Sequence, residues 1–207
     1  MGEQETIAAL RTRCAGTPGG LAIEWMLPQT FNERFKLLER LVDQCYRRLV
    51  EARHLNREEK VGEDQLSVQV VQMLQVSGVL AEHDVQTGGH VDIHVRGPHD
   101  FLWIGEAKIY HGPANVEGGF LQLSTRYGVA SIGRDRGEIV IYCWAQDAFK
   151  TLMKWQDHLP NLAGKVDLVE PLAAPNLFFR TEHQCPSTGL QFHVRHVIVP
   201  LFFDPQK

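Results

Sequence analysis

The run FLWIGEAKIY, at residues 101–110, is the stretch that most constrains the fold of this chain. Its apolar, aromatic and β-branched residues are typical of a buried strand. Side chains in a strand alternate between two faces, so Glu106 and Lys108 project from the same face as Ile104. The run therefore predicts a strand whose end carries a carboxylate and an ammonium side by side.

A shorter run, HVDIHV at 90–95, comes just before this strand and carries Asp92 in its middle. The residues between the two runs, RGPHD at 96–100, have a composition that suits a hairpin turn. Antiparallel pairing of the two runs brings Asp92 close to Glu106. Two carboxylates and a lysine that converge at a strand end can hold a hard divalent cation and direct a water towards a phosphate.

Length and composition set broad limits on the fold. The chain has 207 residues, of which 43% are hydrophobic and 22% charged, and this suits one domain with a real core or one domain plus an extension. The net charge of -4 argues against a strongly basic surface that holds nucleic acid by charge alone, but a local basic groove is compatible with it.

The cysteines and the apolar runs indicate the compartment. The four cysteines are far apart and form no CxxC pair, so we expect reduced thiols in a cytoplasmic protein rather than a zinc site or a disulfide framework. No apolar run approaches the roughly 20 residues of a membrane span, and the N-terminus lacks a secretory apolar segment. We therefore expect no membrane association.

The N-terminal part of the chain reads as helical. Residues 1–29 predict a short helix followed by a Gly- and Pro-rich segment that interrupts helical structure. Helical periodicity follows over 30–56, with Thr30 or Asn32 as the cap. We expect residues 1–58 to form an N-terminal helical extension and residues 59–207 to form the main domain.

The long helix is also a candidate interface between subunits. The acidic net charge and the long N-terminal helix favour partners, so we expect a homodimer or a subunit of a larger assembly. The aromatic residues proposed as anchors of that interface are Trp25, Phe31 and Phe35.

A second helix is predicted over 62–77, where apolar residues recur with helical spacing. Glu63 lies in its first turn, on the apolar side that faces the sheet. An acid at this position can complement the helix dipole, or it can reach the predicted site beside Asp92. The sequence leaves both interpretations open.

The remaining elements complete an α/β pattern. A helix is predicted over 115–127, a continuous apolar strand over 138–144, and an amphipathic helix over 145–159. Short strands follow, and the last one lies within 192–203. Strands and helices in this order predict an α/β sandwich with a mixed central sheet.

The pattern resembles the PD-(D/E)xK nuclease superfamily, over about residues 60–145. The matching features are an early Glu on a helix, a strand with Asp, a strand with Glu-x-Lys, and a helix with Gln and Tyr. Val91 takes the place of the Pro that gives the motif its name. Gln122 and Tyr127 are five residues apart, whereas relatives with the helix motif usually space them by four. The resemblance implies a restriction-endonuclease-like three-layer sandwich with a mixed central β-sheet and the N-terminal helical extension.

The resemblance also implies roles for individual residues. It implies a metal-dependent nuclease that uses Mg²⁺, with Mn²⁺ as an alternative, and that acts on DNA, with RNA left open. The implied metal ligands are Asp92, Glu106, the backbone carbonyl of Ala107, and Glu63. The implied catalytic residues are Asp92, Glu106, Lys108, Glu63 and Gln122, and the implied or predicted substrate contacts are Tyr127, Arg126, His94 and His111.

Lys108 is expected to position or activate the attacking water. A lysine that is near a metal and partly desolvated is expected to have a lowered pKa. It would then bind the water or the oxygens of the transition state.

Two other interpretations stay open at this point. His90, Asp92 and His94 alternate along one strand, and imidazole and carboxylate groups suit zinc or iron, so a different metal hydrolase is one alternative. The other is a non-catalytic or partner-dependent subunit that uses a nuclease-like fold to bind nucleic acid or to assemble a complex.

Overall fold

The architecture is that of a mixed α/β protein, seen in a computed structural model that describes residues 6–58, 60–86, 89–162 and 165–205. Six α-helices occur in these ranges. They are α1 (Ile7–Cys14), α2 (Pro18–Met26), α3 (Phe31–Glu51), α4 (Glu63–Val76), α5 (Pro113–Gln122) and α6 (Ala148–His158). A π-helical segment, Leu123–Tyr127, continues α5 directly, and a short 3-10 turn, Leu159–Asn161, follows α6.

Within the described parts of the chain, seven strands form the central sheet and two more form a small separate sheet. The strands are β1 (Leu80–Glu82), β2 (Val85–Gln86), β3 (His90–Val91), β4 (Ile93–Gly97), β5 (Phe101–Ile109), β6 (Arg136–Cys143), β7 (Val166–Glu170), β8 (Phe178–Gln184) and β9 (Gln191–Pro200). The order in the central sheet is β1-β4-β5-β6-β9-β8-β7, and β2 pairs with β3.

The central sheet is mixed, as the sequence predicts. β4 pairs antiparallel with β5 through the predicted hairpin, whereas β5–β6 and β6–β9 are parallel pairs. β7, β8 and β9 are joined by antiparallel pairing, and β1 is antiparallel to β4. The parallel centre arises because α5 connects β5 to β6, as helical crossovers do.

Helices cover both faces of this sheet. Trp103 and Ala107 of β5 belong to a core cluster with α3 and α4, whereas Ile104 of the same strand belongs to a second cluster with α5 and α6. This is the alternation of side chains that a strand imposes. β6 is buried from both sides in the same way, which explains its continuous apolar sequence.

The N-terminal helices belong to the core rather than to a separate body. Leu38 and Leu49 of α3 share one hydrophobic cluster with residues of β5, β6 and β9. The chain on both sides of residue 58 therefore contributes to the same core, and the predicted helical extension forms a covering layer of the sheet.

Two N-terminal details differ from the sequence prediction. The Gly- and Pro-rich segment that was predicted to interrupt helical structure contains helix α2. This helix begins at a cap where the Thr17 side chain accepts a hydrogen bond from the Gly20 amide. Trp25 and Phe35 are buried against Phe101 within the chain, so they are not available as anchors for a second subunit. The half-buried Phe31 packs at the edge of the same cluster.

The start of α3 confirms one predicted cap. The Thr30 hydroxyl accepts from the Glu33 amide, and the Glu33 carboxylate accepts from the Thr30 amide. This reciprocal pair is a capping box, and it fixes where the helix begins. Among the described residues, no helix combines the length and the apolar character needed to cross a membrane.

Candidate active site

The predicted strand at 90–95 is interrupted at Asp92. β3 ends at Val91 and β4 begins at Ile93, and Asp92 itself forms a bend between them. Its carboxylate Oδ2 accepts a hydrogen bond of 2.8 Å from the Ala107 amide of β5. The Asp92 side chain thus accepts a hydrogen bond from the backbone of β5. The prediction of one continuous strand over 90–95 is wrong at this residue. The predicted proximity of Asp92 to the Glu106–Lys108 segment is confirmed.

His83 holds the backbone of this bend. Its Nδ1 lies 2.7 Å from the carbonyl oxygen of Asp92, which can only accept, so Nδ1 donates. The contact of His83 with this bend is not predictable from the sequence, because no spacing rule links His83 to Asp92. The pairing of β1 with β4 brings the two residues together.

Lys108 is at the centre of a polar cluster near the carboxyl end of β5. Its Nζ donates to Glu106 Oε1 at 2.7 Å, to the Ala107 carbonyl at 2.7 Å and to Glu63 Oε1 at 3.2 Å. The other Glu63 oxygen, Oε2, accepts from the Ile109 amide at 2.9 Å. Glu63 therefore reaches the predicted site from the first turn of α4, which was one of the two interpretations left open.

Burial and mutual charge shift the pKa values of the acids upward. Glu106 is only 2% exposed, and burial together with the nearby Asp92 charge raises its pKa to about 7. Burial also raises the pKa of Asp92, against the opposing effect of its hydrogen bond from Ala107. Two carboxylates that disfavour each other's charge at close range are typical of sites that recruit a cation.

The lowering of the Lys108 pKa that is expected beside a bound metal stays a prediction. Among the groups that the structure describes, burial lowers the pKa of Lys108, but the contact with Glu106 and the charges of Glu63 and Asp92 outweigh burial, and the pKa is raised. The fold gathers several acids around one amine, and their charges oppose the effect of desolvation. In this arrangement Lys108 is an ammonium group that donates hydrogen bonds.

Helix α5 covers the cluster through a glycine. A Cβ atom added at Gly119 would lie 2.8 Å from Lys108 Cγ and 3.3 Å from Glu106 Cγ. The absence of a side chain there lets the helix backbone lie directly on the two charged residues. Gln122 is half-buried at the end of this helix.

The predicted helix over 115–127 does not stay α-helical to its end. Its last five residues form the π-helical segment, which closes with a hydrogen bond of 2.8 Å from the Gly128 amide to the Leu123 carbonyl. Such segments occur frequently at functional sites. Tyr127, in this segment, is buried, and its hydroxyl donates to the His90 carbonyl at 2.9 Å. Tyr127 thereby supports the strand that leads into Asp92.

The predicted substrate contacts differ in their exposure. Arg126 and His111 are exposed. His94 is 1% exposed, and its Nδ1 lies 3.7 Å from Glu82 Oε2 without a hydrogen bond from the described residues. An enclosed imidazole is out of a substrate's reach, so the geometry gives no support to His94 as a contact, and the buried Tyr127 is equally enclosed. The substrate roles of Arg126 and His111 stay predictions.

The zinc or iron alternative finds no support in the geometry. His90 Nδ1 lies 2.6 Å from Asp84 Oδ1 at the surface, whereas His94 is enclosed and the bend at Asp92 separates them. Within the part of the chain that the structure describes, no three side chains of His, Cys, Asp or Glu are grouped so that they hold a metal by themselves.

The oxygen donors nevertheless fit a magnesium ion that shares its coordination with water and substrate. Glu106 Oε2 is buried and has no hydrogen-bond partner among the described residues, so it is an acceptor without a cation or donor. Asp92 and the Ala107 carbonyl add two more oxygens beside it. Mg²⁺ is commonly held by one or two carboxylates plus waters and phosphates, so a larger protein cluster is not required.

Comparisons with known proteins give no further guide, because no family model, no curated protein and no solved structure matches this chain. The geometry of the cluster is therefore the basis for a functional conclusion.

Proposed function

We propose that this chain is a metal-dependent nuclease that hydrolyses phosphodiester bonds, with DNA as its substrate and RNA as the second choice. The observation that carries the proposal is the convergence of Asp92, Glu106 and Lys108 at the carboxyl end of β5, with Glu63 beside them. Ligands of open α/β sheets bind outside the carboxyl ends of strands, which is where this cluster lies.

The proposed fold assignment is a restriction-endonuclease-like three-layer sandwich. The mixed sheet with helices on both faces supports it, as does the placement of Asp92 directly before β4 and of Glu106 and Lys108 on β5, the antiparallel neighbour of β4. The N-terminal helices α2 and α3 are an addition to that core.

Asp92, Glu106 and the Ala107 carbonyl are the groups that would hold Mg²⁺ or Mn²⁺. A bound divalent cation supplies positive charge to the phosphoryl oxygens and lowers the pKa of a bound water. Lys108 donates hydrogen bonds to the attacking water or to the oxygens that gain charge in the transition state. Glu63 and Gln122 orient the cluster, and the exposed Arg126 and His111 contact the substrate backbone.

The test is a cleavage assay on supercoiled, linear and single-stranded DNA and on RNA, with Mg²⁺, with Mn²⁺ and with EDTA. We expect cleavage that needs the metal and that falls by about 10²-fold or more in Glu106→Gln, because that variant loses a charged oxygen ligand. Glu51→Gln is the matched control, since Glu51 is exposed and pairs with Arg48 far along α3.

Cleavage in EDTA, or full cleavage by Glu106→Gln, would exclude the proposed mechanism. The second candidate, a non-catalytic or partner-dependent subunit, is favoured by the fact that the ammonium group of Lys108 binds one oxygen of Glu106 and one of Glu63, as in a structural ion-pair cluster. Nucleic-acid binding without cutting under any metal condition would support that candidate.

A further inference from the structure

Lys108 has no hydrogen-bond donor left for a substrate in the arrangement that the structure describes. An ammonium group carries three N–H donors. Here they meet three oxygens, namely those of Glu106, the Ala107 carbonyl and Glu63. The side chain is 16% exposed, so water has little access to it. A lysine that is satisfied in this way cannot position a water until it releases some of these partners.

Two of these three partners, Glu106 and the Ala107 carbonyl, are groups that the proposed function assigns to the cation. Lys108 Nζ lies 2.7 Å from Glu106 Oε1 and 2.7 Å from the Ala107 carbonyl, while Glu106 Oε2 has no hydrogen-bond partner among the described residues. A divalent cation bound to Oε2 and to this carbonyl would lie against an ammonium group that holds the same carbonyl and the other oxygen of the same carboxylate. Two cations in contact repel each other strongly at low dielectric, so uptake of the metal favours release of the ammonium group.

Glu63 differs from these two ligands. Its Oε2 is fixed by the Ile109 amide and its Oε1 faces Lys108, so both oxygens are already committed to β5. It is therefore placed to keep the lysine when the other two partners are lost.

We propose that Lys108 is a built-in competitor of the metal: its ammonium group leaves Glu106 and the Ala107 carbonyl when these oxygens take up a divalent cation, and Glu63 retains it. The two donors that are freed in this exchange become available to the water or the phosphate. Glu63 is then a positioning residue for Lys108 and not a metal ligand. This inference rests on the proposed metal-dependent function and deepens it.

The first test measures Mn²⁺ binding by titration calorimetry and by the paramagnetic signal of free Mn²⁺, with no nucleic acid present. We expect Lys108→Met to bind Mn²⁺ about fivefold or more tightly than the unchanged protein, because a contact competitor has been removed. The advantage should persist at about 0.5 M NaCl, where long-range charge effects are screened. Lys154→Met, on α6, is the control for removal of a lysine charge away from the site.

The role of Glu63 is tested in the same background. In Lys108→Met, the added change Glu63→Gln should alter Mn²⁺ affinity by less than about twofold, since a loss of only one neighbouring charge is expected. A large loss of affinity would show that Glu63 is a ligand and would overturn its role as a positioning residue.

A second measurement follows Lys108 directly in the unchanged protein. The Hε–Cε resonance of Lys108, identified by its absence in Lys108→Met, should shift when Mg²⁺ is added to the unchanged protein, whereas the other lysine resonances should not. One outcome would overturn the exchange alone: the protein binds metal and cleaves nucleic acid, this resonance does not move, and Lys108→Met binds Mn²⁺ no more tightly. The proposed nuclease function would be unaffected by that result. If the protein neither binds metal nor cuts, both are wrong.

Discussion

At the scale of single residues, Gly119 controls how the two charged side chains of β5 are packed. Its backbone lies so close to Lys108 and Glu106 that a Cβ atom would be within 2.8 Å of one and 3.3 Å of the other. The lysine is held at its far end by three hydrogen bonds and cannot simply swing aside. At the neighbouring Gly118, in contrast, an added Cβ atom would meet no described atom within 4 Å apart from its own helix backbone and its chain neighbours.

The two glycines form a matched pair for mutation. We expect Gly119→Ala to lower metal-dependent cleavage by roughly 10²-fold, because displacement of a catalytic group by about 1 Å has effects of this size. Gly118→Ala should keep full activity and raise the free energy of unfolding by about 0.5–1 kcal/mol, the gain in helix propensity. Cleavage rates and urea unfolding of both variants check this. Full activity of Gly119→Ala would show that the packing of Lys108 is irrelevant to catalysis.

At the scale of secondary-structure elements, a buried histidine joins helix α6 to strands β8 and β9. The Trp155 indole donates to His196 Nδ1 at 3.1 Å, so the other ring nitrogen, Nε2, carries the proton and donates to Thr181 Oγ1 at 2.8 Å. The ring also stacks on Phe179, with centroids 4.5 Å apart. Burial, reinforced by the nearby His183, lowers the pKa of His196 to about 3.

This neutral histidine makes stability depend on pH in a defined direction. Between about pH 3 and pH 6.5 the unfolded chain binds a proton at His196 that the folded chain does not, so the free energy of unfolding falls as pH falls. The contribution is about 1.4 kcal/mol per pH unit within that window. Urea unfolding at several pH values should show a smaller slope for His196→Gln than for the unchanged protein. Equal slopes would mean that His196 titrates normally in the folded state.

Periodicity and capping rules made several features of the fold predictable from the sequence. Features that depend on contacts between residues distant along the chain were not predictable. The alternation that places Glu106 and Lys108 on one face, and the Thr30 cap of α3, follow from local rules that read directly from sequence. The bend at Asp92 does not follow from local rules, because it depends on a hydrogen bond to the Asp92 carboxylate from the Ala107 amide, fifteen positions along the chain. The pKa of Lys108 is raised mainly by Glu106, its neighbour along β5, and further by Glu63 and Asp92, which the tertiary fold brings near.

At the scale of the whole molecule, α3 and the sheet share one hydrophobic core. We therefore expect them to unfold as one unit. Leu38 of α3 is 0% exposed and lies in the same cluster as strand residues Trp103 and Val140. Separation of α3 from the sheet would expose the apolar faces of both. Helix α3 therefore has no stability independent of the sheet.

Cooperative unfolding is therefore the expected behaviour. Leu38→Ala should lower the free energy of unfolding by about 2–5 kcal/mol, through lost burial and the cavity it leaves. Leu55→Ala, where the side chain is 66% exposed, should change it by less than about 0.5 kcal/mol. Far-UV circular dichroism and tryptophan fluorescence should give coincident urea transitions in both variants. Two separate transitions, with only one shifted by Leu38→Ala, would show that α3 is an independent unit.

The π-helical segment after α5 has a consequence for how distant relatives of this chain are recognised. The turn that closes from Gly128 to Leu123 holds one residue more than an α-helical turn. An alignment that requires regular helical spacing would count Tyr127 as one position out of register with Gln122. Under the proposed superfamily assignment, that extra position corresponds to a single-residue insertion, which the widened turn accommodates. Searches for homologues should therefore allow a one-residue gap within 123–127.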